Sequence, residues 1–430
     1  MKACLKNTLA LLCAAALAAG PGVFPAAAVG LYEEEPAPAR AAQEEAVPVT
    51  QTAQEEQVSV TEAALEAEIL AAAAITPDEN LPVRSAILID QASGDVFFAL
   101  NEHEALPPAS VTKIMSLLLF MEAIDAGTMK LDDIVVCSDT AAAYGGSQIW
   151  LKPGEEMSVN DLLKAIAISS ANDATVCLAE HVAGSETAFV QLMNERAAQL
   201  GMNDTVFKCA AGLDNEGHLS SAYDIALMSR ALLSHPLILD YSTVWMDSLR
   251  GGATELVNTN RLVRFYEGAT GLKTGTTSGA GSCLSASATR DGLSLIAVVM
   301  GAPTSDDRFS AARALLDWGF ANYMTAPLTP PDTILPLTVT GGVQPQVELY
   351  CEPPAGITIE RAKKDSLTQD VVMDPSVAAP VAKGQQVGNV VVCVDGEQKL
   401  QYPICAAQDI EEMTLWRAFG ILGRSLLATC

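Results

Sequence analysis

Three short stretches carry residue types and spacings that can support covalent chemistry. The first is Ser110-Val-Thr-Lys113, preceded by Pro107-Pro-Ala109 at the start of a predicted helix. Residues three apart share a helical face, so Lys113 can reach the Ser110 hydroxyl. Serine is a weak nucleophile until a base takes its proton. Lysine serves as that base only when its ammonium is deprotonated, which burial and a neighbouring cation both favour. Each pKa unit of depression costs about 1.4 kcal/mol, which a folded domain sustains at one site. Backbone N–H groups at the helix N-terminus suit an oxyanion. The second stretch, Ser170-Ala-Asn172, lies between two predicted helices. A hydroxyl there can shuttle a proton to a leaving group, and the amide can bind a substrate carbonyl or hold Lys113 in place. The third, Lys273-Thr-Gly275 followed by Thr276, falls on a predicted strand. A strand edge docks an extended peptide through backbone hydrogen bonds. Gly275 leaves room for that approach, and Lys273 and Thr274 supply donors for a carboxylate. Each stretch alone is explained equally well by helix capping or a polar edge strand. The three together, each on the element its role requires, argue for a lysine-activated serine nucleophile.

The elements that must hold these residues are legible around them. Ser85–Asp90 and Asp95–Leu100 read as strands about a turn at Gln91–Gly94. Val111–Ala126 has helical apolar spacing and stops at Gly127. Further helices are expected from Ser158 (a capping box with Asp161) through Ile168, from Asn172 to Val182, and from Thr187 to Leu200. Strands return at Gly271–Thr276, Ser282–Thr289 and Leu293–Met300, with Arg290-Asp-Gly292 as a hairpin turn. Ser305–Asp307 is expected to cap a helix running to Asn322. Strands at both ends and helices in the middle give an α/β (α+β) domain: an antiparallel sheet with a helical insert. From Pro327 short β-rich runs (Thr333–Thr340, Gln346–Cys351, Ile357–Arg361, Val390–Val394, Gln398–Ile404) alternate with turns, as in a small all-β domain. The expected divisions are 1–28, 29–79, 80–325, 326–406 and 407–430.

Composition narrows the function. The chain has 430 residues, half of them hydrophobic, enough for two or three domains with cores. Its net charge of −27 argues against nucleic acid as a partner. Four histidines, with no C-x-x-C, H-E-x-x-H or G-x-S-x-G, leave no sign of a metal or cofactor. Lys2 and Lys6, an apolar run from Thr8 to Ala19 and Ala26-Ala-Ala28 read as a secretory signal peptide. Residues 33–68 hold ten Glu against one Arg and read as a disordered acidic spacer. Cys177, Cys283 and Cys393 sit in apolar runs and read as buried free thiols. Asp409–Cys430 reads as an amphipathic helix: Leu415, Trp416, Phe419, Leu422, Leu426 and Leu427 form one face, and Arg417 and Arg424 lie opposite. Such a helix suits a membrane surface; the alternative is docking on the β domain.

The order S-x-x-K, S-x-N, K-T-G matches the penicillin-recognising serine enzymes. The chain further resembles the low-molecular-mass penicillin-binding proteins, the serine D-alanyl-D-alanine carboxypeptidases (peptidase S11-like). The resemblance is carried by Ser85–Asp90, Pro107–Lys113, Ser169–Ala174, Gly212-Leu213, Ser220–Asp224, Asn258–Leu262 and Gly271–Thr276, with a weaker match at Ala379-Pro380 and Lys383–Gly388. It implies a penicillin-binding/β-lactamase-like transpeptidase fold. It implies removal of the terminal D-Ala from peptidoglycan stem peptides through an acyl-enzyme on Ser110, with β-lactams as covalent inhibitors. Lys113 would be the general base, and Ser170 and Asn172 would assist proton transfer. Lys273, Thr274 and Arg308 would bind the terminal carboxylate, and the N–H groups of Ser110 and Thr276 would form the oxyanion hole. The helix at the C-terminus would hold the exported enzyme on the outer face of the cytoplasmic membrane. The sequence departs from relatives at Cys209-Ala-Ala211, where Asn and His are frequent, and at Thr276, where some relatives have His.

Two other readings share the motifs. A class A-like β-lactamase needs a glutamate to activate the deacylating water. The nearest stretch, Glu216-Gly-His-Leu-Ser220, lacks the Asn of that pattern. A catalytically silent wall-binding protein has no chemical need for Ser110, Lys113 and Lys273 together.

Overall fold

The structure, a computed structural model, describes residue 77 and residues 81–332 and 334–428, with side chains as far as residue 421. The expected signal peptide and nearly all of the acidic spacer lie outside the described residues.

Strands β1 (Ser85–Asp90), β2 (Val96–Leu100), β3 (Ala269–Thr277), β4 (Gly281–Arg290) and β5 (Leu293–Ala302) form one sheet in the order β2-β1-β5-β4-β3. Every neighbouring pair is antiparallel. Asp291 and Gly292 both take positive φ at the β4–β5 turn, which matches the strand twist. The sheet is covered on both faces, so β1 is buried throughout and apolar without alternation from Ala86 to Ile89. Ile87 and Ile89 face one core, with Ile114, Met115 and Leu118 of helix α1 (Lys113–Asp125). Ala86 and Leu88 face the other, with Leu315, Leu316 and Phe320. Each of these side chains larger than alanine contributes about 1.5–3 kcal/mol by leaving water.

Between β2 and β3 lie α2 (Val159–Ser169), α3 (Asn172–Ala183), α4 (Glu186–Gln199) and α5 (Ala222–Leu233). Ser158, Ser185 and Ser221 cap α2, α4 and α5 by accepting backbone N–H groups, and Gly184 ends α3 in the left-handed region. Helix α5 has no counterpart among the expected elements. It is wedged between α1 and the sheet and buried nearly all round. Helix α6 (Ser305–Asn322) is capped by Thr304 rather than Ser305. Thr304 accepts from Asp307 N while the Asp307 carboxylate accepts from Thr304 N, and Ser305 is already helical.

Strand Tyr323–Pro327 pairs with Gly356–Glu360, and the expected division at 325/326 falls within it. Tyr323 stacks on Phe97 of β2. The remaining β-rich segment forms a three-stranded and a four-stranded sheet. Leu367–Met373 and Ser376–Ala378 are strands that short-range patterning missed. The final helix, α7, spans Leu415–Ala428 and not the whole of the expected 409–430 segment. Ile410 and Glu412 instead bridge to Val381 and Gly342, which keeps that stretch extended. The seven described cysteines carry free thiols; Cys177 and Cys283 are buried and Cys393 is half-buried.

Candidate active site

The Ser110 turn is tighter than an α-helix. Pro108 precedes a 3-10 turn, Ala109–Thr112, which runs directly into α1. With three residues per turn, positions i and i+3 eclipse, and Lys113 Nζ lies 3.0 Å from Ser110 Oγ. Lys113 is fully buried. Burial, and then the nearby charge of Lys273, push its pKa well below the usual lysine value. A neutral amine has two N–H bonds and one lone pair. Nζ has two good acceptors besides serine, Asn172 Oδ1 at 2.6 Å and the Ala211 carbonyl at 2.7 Å. With both N–H bonds so used, the lone pair is left for the Ser110 proton.

Asn172 is presented by a sharp change of direction. Helix α2 ends at Ser170, which is buried with φ of 62°, and α3 begins at Asn172. The Asn172 amide group donates to Gly145 O (2.7 Å), and its backbone N–H donates to Ser147 O (2.7 Å). These bonds orient the amide so that its oxygen meets Lys113. The neighbouring Asp173 is fully buried and accepts from Ile149 N and Leu151 N, which pins the 145–151 loop beside the site.

The third stretch occupies β3, the sheet's edge strand. A Cβ at Gly275 would lie 2.9 Å from Ser110 N, Pro108 O and Ala109 Cβ. The space that glycine leaves is therefore taken by the serine turn itself, not by an approaching peptide as the sequence suggested. Thr276, exposed at the next position, stands beside that turn. Thr274 Oγ1 donates to Thr259 Oγ1 (2.7 Å), and Thr259 N donates to Ile168 O, so β3 is tied to the end of α2. Lys273 is buried, and burial together with the Arg308 charge lowers its pKa to about 7. Arg308 donates to Gly275 O (2.9 Å), Thr276 Oγ1 (2.8 Å) and Ser305 Oγ (3.2 Å). It braces β3 from behind Thr276.

All the residues singled out in the sequence thus fall on the serine turn, the α2–α3 junction or the β3 edge and its brace. Ala211 O, the 145–151 loop, Asp173 and Thr259 escaped that reading. The first two act through backbone atoms, which leave no mark in a sequence. Thr259 and Asp173 lay inside family-like stretches but had no assigned role. Glu216, the candidate for a deacylating glutamate, is exposed on the 214–217 turn.

Residues 71–304 match the family model described as D-alanyl-D-alanine carboxypeptidase, and residues 323–412 match penicillin-binding protein 5, C-terminal domain. The D-alanyl-D-alanine carboxypeptidase DacF of Bacillus subtilis is 42% identical over 334 residues, 76% of this chain and 86% of that protein. DacC of Escherichia coli, likewise a D-alanyl-D-alanine carboxypeptidase, is 37% identical over 80% of this chain and 88% of its own length. The crystal structure of penicillin binding protein 5 from Haemophilus influenzae superposes with a TM-score of 0.67 at 32% identity, covering 79% of this chain and all of that one. The ampicillin-bound form of penicillin-binding protein D2 from Listeria monocytogenes covers 57% of this chain and all of its own, with a TM-score of 0.53 at 31% identity. The lysine-backed serine, the matched family model and relatives aligned over most of their length agree: this chain belongs to the D-alanyl-D-alanine carboxypeptidase family, peptidase S11.

Proposed function

We propose that Ser110 is the nucleophile with which this chain, a serine-type D-alanyl-D-alanine carboxypeptidase, releases the terminal D-Ala of peptidoglycan pentapeptide stems. The observation that carries the reading is the Lys113 amine, fully buried, with two other acceptors for its N–H bonds and Ser110 Oγ 3.0 Å away. Lys113 takes the hydroxyl proton as Oγ attacks the penultimate D-Ala carbonyl. The N–H groups of Ser110 and Thr276 receive the oxyanion. The proton passes through Ser170 to the departing D-Ala nitrogen, and the C–N bond breaks. Water, deprotonated by the same lysine, then cleaves the Ser110 ester. Lys273 holds the substrate's terminal carboxylate, joined by Thr274 when its hydroxyl turns from Thr259 to the bound substrate, and Arg308 keeps that strand in place. β-Lactams enter the same first step, because their amide carbonyl and carboxylate sit in corresponding positions.

The enzyme works outside the cell, on the outer face of the cytoplasmic membrane. Two features support this: the signal-like composition of residues 1–28, and α7, where Leu415, Trp416 and Phe419 are 80%, 86% and 68% exposed. Apolar side chains so exposed at one end of a folded chain suit an interfacial helix. No helix among the described residues is long and apolar enough to cross a membrane.

The test is release of D-alanine from a peptide ending in D-Ala-D-Ala, with Ser110→Ala beside the parent. Release by the parent alone supports the reading. Release by both proteins, or none from a folded parent, overturns it.

A further inference from the structure

One buried histidine plays no part in the chemistry above. His218 is 3% exposed and packs against Phe207. Its Nδ1 accepts from the Lys208 backbone N–H at 2.9 Å. A backbone N–H only donates, so Nδ1 carries the lone pair, and the neutral ring's proton sits on Nε2. Nε2 lies 2.8 Å from Thr112 Oγ1, and Thr112 in turn donates to the Ala109 carbonyl at 2.8 Å. The chain of donors therefore runs one way, from Lys208 N–H through His218 and Thr112 to Ala109 O.

Ala109 O belongs to the same peptide unit as Ser110 N. This unit needs holding. Ala109 takes a φ of 49°, in the left-handed region that a residue with a Cβ occupies at a cost. The Gly212 backbone closes over it so tightly that a Cβ there would lie 2.0 Å from Ala109 O and 2.8 Å from Thr112 Oγ1.

We propose that His218 and Thr112 are positioning residues for the oxyanion hole, fixing and polarising the Ala109–Ser110 peptide so that the Ser110 N–H is aimed at the developing charge. A carbonyl that accepts a hydrogen bond makes the N–H of its own peptide a better donor, and successive bonds in a chain reinforce one another. Donors held ready for the transition-state charge are worth more than donors that must reorganise. The relay needs the neutral ring, since a proton on Nδ1 would oppose the Lys208 N–H. Burial keeps the ring neutral, lowering its pKa to about 4, with Lys208 adding to that and Asp214 opposing it.

The inference rests on Ser110 being the acylated residue, and the experiment separates the two. Acylation by benzylpenicillin is followed by stopped flow, and the ester carbonyl of the adduct by difference infrared spectroscopy. Thr112→Val keeps the shape and removes both links of the relay. It is expected to lower the acylation rate constant roughly tenfold, short of the 10²–10³-fold loss on removing an oxyanion donor outright. The affinity of the initial complex stays at the parent value, and the ester carbonyl stretch moves to higher wavenumber. Thr112→Ser restores both readouts. His218→Leu behaves as Thr112→Val, while His218→Gln, which keeps a donor for Thr112, stays near the parent; this pair decides the matter if Thr112→Val does not fold. Parent-like rate and carbonyl frequency in Thr112→Val and His218→Leu, or a Thr112→Ser enzyme as impaired as Thr112→Val, overturns the relay. A parent that forms no adduct overturns the Ser110 assignment instead.

Discussion

Gly275 and Ser110 share a space that admits no side chain: a Cβ at residue 275 would stand 2.9 Å from Ser110 N. The edge strand and the serine turn are thus fitted backbone to backbone, and the two proposed oxyanion donors, the N–H groups of Ser110 and Thr276, come from the two sides of that contact. Gly275→Ala must push them apart, because the obstructing atoms include the Pro108 carbonyl and not only a flexible side-chain tip. We expect a folded protein whose penicillin acylation falls by roughly 10²-fold or more, the loss typical of a missing oxyanion donor. Stopped-flow acylation with a melting curve checks this; a parent-like rate would show that the contact is not part of the oxyanion site.

Asn172→Asp tests what Lys113 requires. Asn172 Oδ1 accepts from Nζ at 2.6 Å. A carboxylate at that distance favours the ammonium and raises the Lys113 pKa, which withdraws the base. Activity at neutral pH is expected to drop at least tenfold, and the acid limb of the acylation profile to move to higher pH. An acid limb left in place would mean that Lys113 is not the group titrating there.

The pH profile of the parent follows from two lysines with opposite requirements. Lys113 must be neutral, so the rate rises as pH climbs through its depressed pKa. Lys273 must be charged to hold a carboxylate, so kcat/KM descends as pH passes about 7, the free-enzyme value set by burial and Arg308. Bound carboxylate stabilises the Lys273 ammonium, so the alkaline limb of kcat lies at higher pH than that of kcat/KM. Lys273→Arg, whose guanidinium keeps its charge, should remove the alkaline limb from kcat/KM. Superimposable limbs in kcat and kcat/KM would count against Lys273 as the carboxylate anchor.

Ending the chain at Thr414 removes α7 and its exposed Leu415, Trp416 and Phe419. The expected outcome is unchanged kcat and KM on a soluble peptide, with loss of co-sedimentation with phospholipid vesicles. Equal sedimentation of both forms would place any membrane contact elsewhere.

Sequence carried most of the chemistry and less of its support. Ser110, Lys113, Ser170, Asn172 and Lys273 stand out because their types are costly to place at random on helix starts and strand edges. Helices α2, α3 and α4 were legible from their apolar spacing with a capping serine or terminal glycine. Helix α5 was not, although Ser221 caps it and it is no more buried than α3. Short-range patterning also missed Leu367–Met373, whose partner lies at Gln386–Val394. The Ala211 carbonyl and the 145–151 loop are placed by tertiary contact alone, so no residue type announces them. Gly275 is legible as a position that admits no side chain, but its neighbour is the serine turn and not a docked peptide.

The strand order β2-β1-β5-β4-β3 has a consequence for how the enzyme comes into being. The serine turn follows β2, while Lys273 stands on β3 at the opposite margin of the sheet. Ser85 of β1 pairs with Met300 of β5, near the other end of the domain's chain. We expect the proposed nucleophile and anchor to be held together stably only once that distant pairing has closed, a step that topology makes slow. On that expectation a half-built chain holds no working site. A fluorescent penicillin consequently counts finished molecules, and its labelling kinetics during refolding time the closure of the sheet.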